Sequence, residues 1–109
     1  MPSETERAIL TAPAAVARTA AYAAADPEQR WMLRQPREVR RSFADEVFGR
    51  PDAEARQEIW MLRQPRAVRE SFIKEVLRDQ DPLPRQSIWM LRQTDKVRES
   101  FVRDVLEAT

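Results

Sequence analysis

Residues 59–77 read IWMLRQPRAVRESFIKEVL and residues 88–106 read IWMLRQTDKVRESFVRDVL, with 13 of 19 positions identical. An earlier copy surrounds Trp31, so that Trp31, Trp60 and Trp89 follow one another at intervals of 29 residues. Each tryptophan opens the same string, Trp-Met-Leu-Arg-Gln, then three variable positions, then Val-Arg-x-Ser-Phe, and later an acid and a valine. Internal repetition at this period is the signature of a small supersecondary unit that buries its apolar face against its own copies.

Within each copy, apolar residues recur at helical rather than alternating spacing, and a single glycine leaves little material for tight hairpins. The expected fold is all-α. Each copy reads as two short helices. The first starts near Asp26-Pro27, Asp52 or Pro84, where an acid or a proline suits a helix start, and runs through the tryptophan to the glutamine. Pro36 and Pro65 then disfavour helix in the residue before them; Thr94-Asp95 supplies a capping pair in the last copy. The second helix is expected over 36–48, 65–78 and 94–107.

Upstream, residues 7–24 align with residues 30–47: Leu10 with Leu33, Pro13 with Pro36, Val16 with Val39, while Ala8 replaces the tryptophan and Ala20 the phenylalanine. Trimmed side chains are what a capping unit needs, because one of its faces has no neighbour; the alternative is a mobile alanine-rich arm. The organisation expected is one helical-repeat domain over 1–109, with a degenerate copy at 7–25 and full copies at 26–50, 51–79 and 80–109, stacked on a shared interior. The arrangement resembles α-solenoid repeats in general, although its period and signature differ from the tetratricopeptide, ankyrin and armadillo patterns.

On a helical wheel with Val39 at zero, Phe43 falls at about 40°, Val47 at about 80° and Ala44 at about 140°, one broad apolar face. The consecutive Trp60, Met61 and Leu62 span about 200° of the first helix and must touch neighbours on several sides. The expected core is therefore Trp31, Leu33, Val39, Phe43 and Val47, then Trp60, Leu62, Val68, Phe72 and Val76, then Trp89, Leu91, Val97, Phe101 and Val105. The competing view of the tryptophans is an exposed aromatic row used for binding. Glu70 and Lys74 are spaced as a supportive i, i+4 pair on the solvent side.

Packing alone does not require the same polar residue in every copy, because cores ask for apolar bulk. Yet Arg34, Arg63 and Arg92 recur, as do Gln35, Gln64 and Gln93, and Arg40, Arg69 and Arg98. Arg40 falls at about 100° on the same wheel, inside the apolar arc. One reading is structural: the arginine covers unpaired carbonyls at the end of a first helix, or pairs with a repeated acid such as Glu46, Glu75 or Asp104. The other makes these nine residues a repeated fork for carboxylates or phosphates of a partner.

Composition narrows the function. The 109 residues contain no cysteine and no histidine, which removes disulfides, thiolate nucleophiles, Cys/His zinc patterns and the usual proton shuttle. The remaining carboxylates, arginines, Lys74, Lys96 and Tyr22 form no recognisable catalytic constellation, so no enzyme, cofactor or metal is expected. Nineteen basic residues stand against 18 acidic ones, a field too weak to steer nucleic acid or an anionic membrane. No apolar run reaches the length of a membrane span and Glu4 and Glu6 stand where a signal peptide would be basic, so the expected location is the cytoplasm. The leading expectation is a non-catalytic protein-binding, adapter or scaffold module. Its alternatives are a nucleic-acid-binding regulator built on short-cornered helix pairs, and a self-assembling homo-oligomer.

Overall fold

A computed structural model describes residues 4–107 and is helical throughout, with no strand among the described residues. Eight α-helices follow in order: α1 (Glu4–Leu10), α2 (Ala14–Ala23), α3 (Pro27–Leu33), α4 (Arg37–Glu46), α5 (Ala53–Leu62), α6 (Arg66–Glu75), α7 (Arg85–Leu91) and α8 (Asp95–Phe101). A 3₁₀ turn, Leu77–Asp79, follows α6, and a π-helical turn, Val102–Leu106, extends α8. None of these helices is long and apolar enough to cross a membrane.

The breaks come where the local chemistry puts them. Asp26 caps α3 by accepting the Glu28 amide at 2.8 Å, and Thr94 caps α8 by accepting the Val97 amide at 3.3 Å. Pro36 and Pro65 sit just ahead of α4 and α6 with extended ψ values of 153° and 157°. The first helix of each pair stops at Leu33, Leu62 or Leu91, two residues before the expected glutamine. Gln35, Gln64 and Gln93 instead fold back, each donating its side-chain amide to the carbonyl of the tryptophan four residues earlier, at 3.0–3.1 Å. That bond satisfies one of the carbonyls a helix leaves open at its C-terminus, which explains a recurrent glutamine without a ligand.

The second helices of the first two copies are also shorter than expected, whereas that of the third continues through the π-helical turn to Leu106. α4 and α6 end at Glu46 and Glu75, because Val47 and Val76 twist to φ −120° and −116° and turn the chain inward, where both valines are buried. After α4 the chain closes its turn at Gly49, whose φ of 80° lies in the left-handed region that glycine enters without a Cβ clash. The alanine-rich segment is not an unstructured arm: it forms α1 and α2, and Leu10, Ala17 and Ala21 are buried.

The chain divides into two compact units, one up to Ala53 and one from Glu54 onward. In the first, α2 packs on α3 and α1 on α4. Its interior holds Leu10, Ala17, Ala21, Trp31, Met32, Leu33, Ala44 and Val47. In the second, α6 packs on α7, and Ile59, Trp60, Met61, Leu62, Phe72, Ile73, Val76, Leu77, Leu91 and Val102 are buried.

The core expectation needs correction at its C-terminal third. Trp89 is 58% exposed, Val97 40% and Val105 56%, although Trp31 and Trp60 are each 3% exposed. Val39, Phe43, Val68 and Phe101 are only half-buried. Sequence identity sets which side chain stands at a position. Burial depends on what packs against it, and nothing among the described residues covers these three.

Candidate functional site

The recurrent arginine of the second helix is the most unusual side chain in the molecule. Arg40 is completely buried, Arg69 is 7% exposed and Arg98 5%. Each donates its Nε to the carbonyl of the preceding glutamine, Arg40 to Gln35 at 2.9 Å, Arg69 to Gln64 at 3.0 Å and Arg98 to Gln93 at 3.0 Å. Each Nη1 then reaches a different helix pair. Arg40 donates to the carbonyls of Leu10 at 2.9 Å and Ala12 at 2.6 Å; Arg69 donates to Leu91 and Arg98 to Leu62.

The last two bonds are reciprocal: α6 covers the C-terminus of α7, and α8 covers the C-terminus of α5. A guanidinium suits this task because its planar fork serves two or three carbonyls at once and complements the negative end of the helix dipole. In the first unit the exchange runs one way only, since Ala17 occupies the matching position of α2.

The repeated acids are not partners of these arginines. Glu46, Glu75 and Asp104 instead accept the hydroxyls of Ser42, Ser71 and Ser100 at 2.8, 2.7 and 3.2 Å, one turn back on the same helix. That accounts for the recurrence of serine with an acid four residues on. Arg98 has Asp95 as its carboxylate, and Arg69 and Arg40 have none of their own among the described residues. Burial and then the Arg98 charge push the Arg69 guanidinium below its ordinary pKa; Arg40 is lowered by burial and then by Arg37.

The arginines of the helix corner are solvated. Arg92 forks onto Glu70 at 3.1 and 3.2 Å, and Arg63 donates to both oxygens of Glu99 at 3.0 and 3.4 Å and to Glu107 at 3.3 Å. Glu70 thus reaches across to α7 instead of taking Lys74 on its own helix, because the planar fork offers two aligned donors where an ammonium offers a point charge. Arg34 makes no such bond among the described residues; the position matching Glu70 in α2 is Arg18, a like charge.

The hydrogen bond from Arg92 holds the Glu70 carboxyl below its ordinary pKa. A depressed carboxylate stabilises the fold above its unfolded pKa of about 4.3, and that contribution is lost as pH falls through the lower folded value. Both side chains are about 40% exposed, so the pair contributes on the order of 0.2–1 kcal/mol. Glu70→Gln should therefore destabilise by that amount at pH 7, and urea titrations of the two chains should converge as pH falls through the lowered folded pKa.

These residues meet in one place. An open groove of about 690 Å³ on the second unit is lined by Arg66, Arg69, Glu70, Arg92, Gln93, Thr94, Asp95 and Arg98. Four of the nine residues expected to form a partner fork lie here: Arg69, Arg92, Gln93 and Arg98. Arg34, Gln35, Arg40, Arg63 and Gln64 lie outside it. Sequence reasoning missed Arg66, a variable position (Arg37 and Asp95 in the flanking copies) that only the packing of α6 brings beside the two buried guanidiniums. Arg66 makes no hydrogen bond among the described residues, and neither does the Nη2 of Arg69.

No known family, curated protein or solved structure matches the chain.

Proposed function

We propose that this chain is a non-catalytic protein-binding module that takes a carboxylate of an acidic partner segment into the groove beside Arg69. The observation that supports it is the buried Arg69 guanidinium, two of whose donors serve Gln64 and Leu91 and which lines the groove together with Arg66. An incoming carboxylate would accept from both and offset the repulsion between Arg69 and Arg98. Four cations against Glu70 and Asp95 give the groove a net charge of about +2. The two interspersed acids weigh against a continuous phosphate backbone, which needs an uninterrupted basic surface.

This reading takes the helix pairs as copies of one 29-residue unit, supported by Arg40, Arg69 and Arg98, whose Nη1 groups all reach the leucine carbonyl ending another pair's first helix. It does not require every copy to bind. In the first unit Arg37 donates to the Thr11 carbonyl at 2.9 Å, and Arg40, although its Nη2 has no partner, is completely buried where a ligand cannot reach it.

Fluorescence anisotropy with a labelled glutamate-rich peptide tests the proposal. Loss of one charge-assisted pair in Arg66→Gln should weaken binding about tenfold, with the melting temperature unchanged. Unchanged affinity in that variant would overturn the reading, as would tighter capture of duplex DNA than of the peptide at low salt.

A further inference from the structure

The apolar face of the last helix pair is a second surface, independent of the arginine groove. A groove of about 460 Å³ there is lined by Met90, Lys96, Val97, Ser100, Phe101, Asp104 and Val105. Trp89, adjacent to Met90, is 58% exposed. One copy earlier in the sequence, the equivalent Trp60, Met61, Phe72 and Val76 are all buried, none more than 8% exposed. In the first helix pair, where Val16 is 51% exposed, the bulk has been removed: Ala8 and Ala20 stand in the tryptophan and phenylalanine positions. At the tryptophan and phenylalanine positions the first pair thus carries alanine where the last pair carries full-sized side chains. An exposed apolar cluster of this size marks a contact surface.

The arrangement of charge around the face selects its occupant. Val97, Phe101 and Val105 recur every four residues and form a ridge; Lys96, Ser100 and Asp104 recur at the same interval and line the same groove. Lys96 on α8 and Asp104 on the π-helical turn that extends it stand eight residues apart. The polar row therefore runs positive, neutral, negative. Laid antiparallel against itself about a two-fold axis at Ser100, that row places each Lys96 opposite the Asp104 of the other copy while the two apolar ridges interdigitate. Among the described residues, Asp104 accepts only from the Ser100 hydroxyl and faces Arg103 at 3.5 Å, contacts that leave it accessible.

We infer that the chain forms a symmetric homodimer through this face, with Met90, Val97, Phe101 and Val105 at its centre and two Lys96–Asp104 pairs at its edges. The face is small, so the dimer belongs to the weak, concentration-dependent class.

Sedimentation equilibrium of the full chain across a dilution series from about 1 mM to about 1 μM tests this, a span that brackets weak association. Dimers at the concentrated end that dissociate on dilution are expected. Lys96→Glu and Asp104→Lys, both solvent-facing changes monitored by circular dichroism for intact helicity, should each be monomeric alone because each places two like-charged pairs in its own dimer. Mixed in equal amounts they should form a heterodimer, since both of its pairs are then opposite in sign. A monomer at every concentration, assemblies larger than two, or single variants that dimerise like the parent would each overturn the inference.

Discussion

Trp60→Ala should lower the unfolding free energy by about 3–5 kcal/mol, measured by urea denaturation followed by circular dichroism. The indole is 3% exposed and stands in an unbroken run of buried residues, Ile59, Met61 and Leu62 among them. Truncation removes one of the largest apolar surfaces in the chain and leaves a cavity that the short helix α5 cannot collapse into. Small domains hold only about 5–15 kcal/mol in reserve, so much of the fold would be lost at physiological temperature. Trp89→Ala supplies the internal control: the same residue in the same Trp-Met-Leu-Arg-Gln context, but 58% exposed, should cost less than about 1 kcal/mol in the monomer. Equal losses for the two would show that local sequence rather than burial governs the tryptophan contribution.

The second large effect is expected at Arg40. Replacing it with alanine strips hydrogen bonds from the carbonyls of Leu10, Ala12 and Gln35 and empties a fully buried site. Buried polar groups left without partners cost about 1–3 kcal/mol each, and breaking a buried charged network costs about 3–5 kcal/mol in total. Arg40→Met keeps the aliphatic bulk but not the donors, and should recover only a minority of the loss. Arg40→Lys should fare little better, because one ammonium cannot reach Gln35 and the Leu10–Ala12 pair with the fork geometry. The solvent-exposed Arg34→Ala should stay within about 0.5 kcal/mol of the parent. If Arg40→Ala melted like the parent, the interpretation of this arginine as a cross-pair helix cap would fail.

Much of the local architecture was legible before any coordinate. Prolines at 36 and 65, the Thr94 cap and the Asp26–Pro27 start are short-range devices, acting within three or four residues, and the helix starts fall where they predict. Arg40 also announced itself, since a cation inside an apolar arc must find partners. Which partners it finds was not legible: Leu10 lies 30 residues away, and no local spacing encodes that approach. The serine and acid pairs could have been read from their i, i+4 spacing, and the glutamine bond to the tryptophan carbonyl from its place in the last helical turn.

The sequence alone determined that the chain is helical, where most of its helices begin, and which side chains are large enough to form an interior. These follow from backbone sterics and capping chemistry, which operate between near neighbours. Only the tertiary structure decided which carbonyls the buried arginines cover, that Glu70 joins Arg92 rather than Lys74, that Arg66 enters the groove, and that Trp89 stays exposed while Trp60 is enclosed. Those outcomes depend on what lies across a packing surface, and nearly identical strings of residues acquire different surroundings when different elements pack against them.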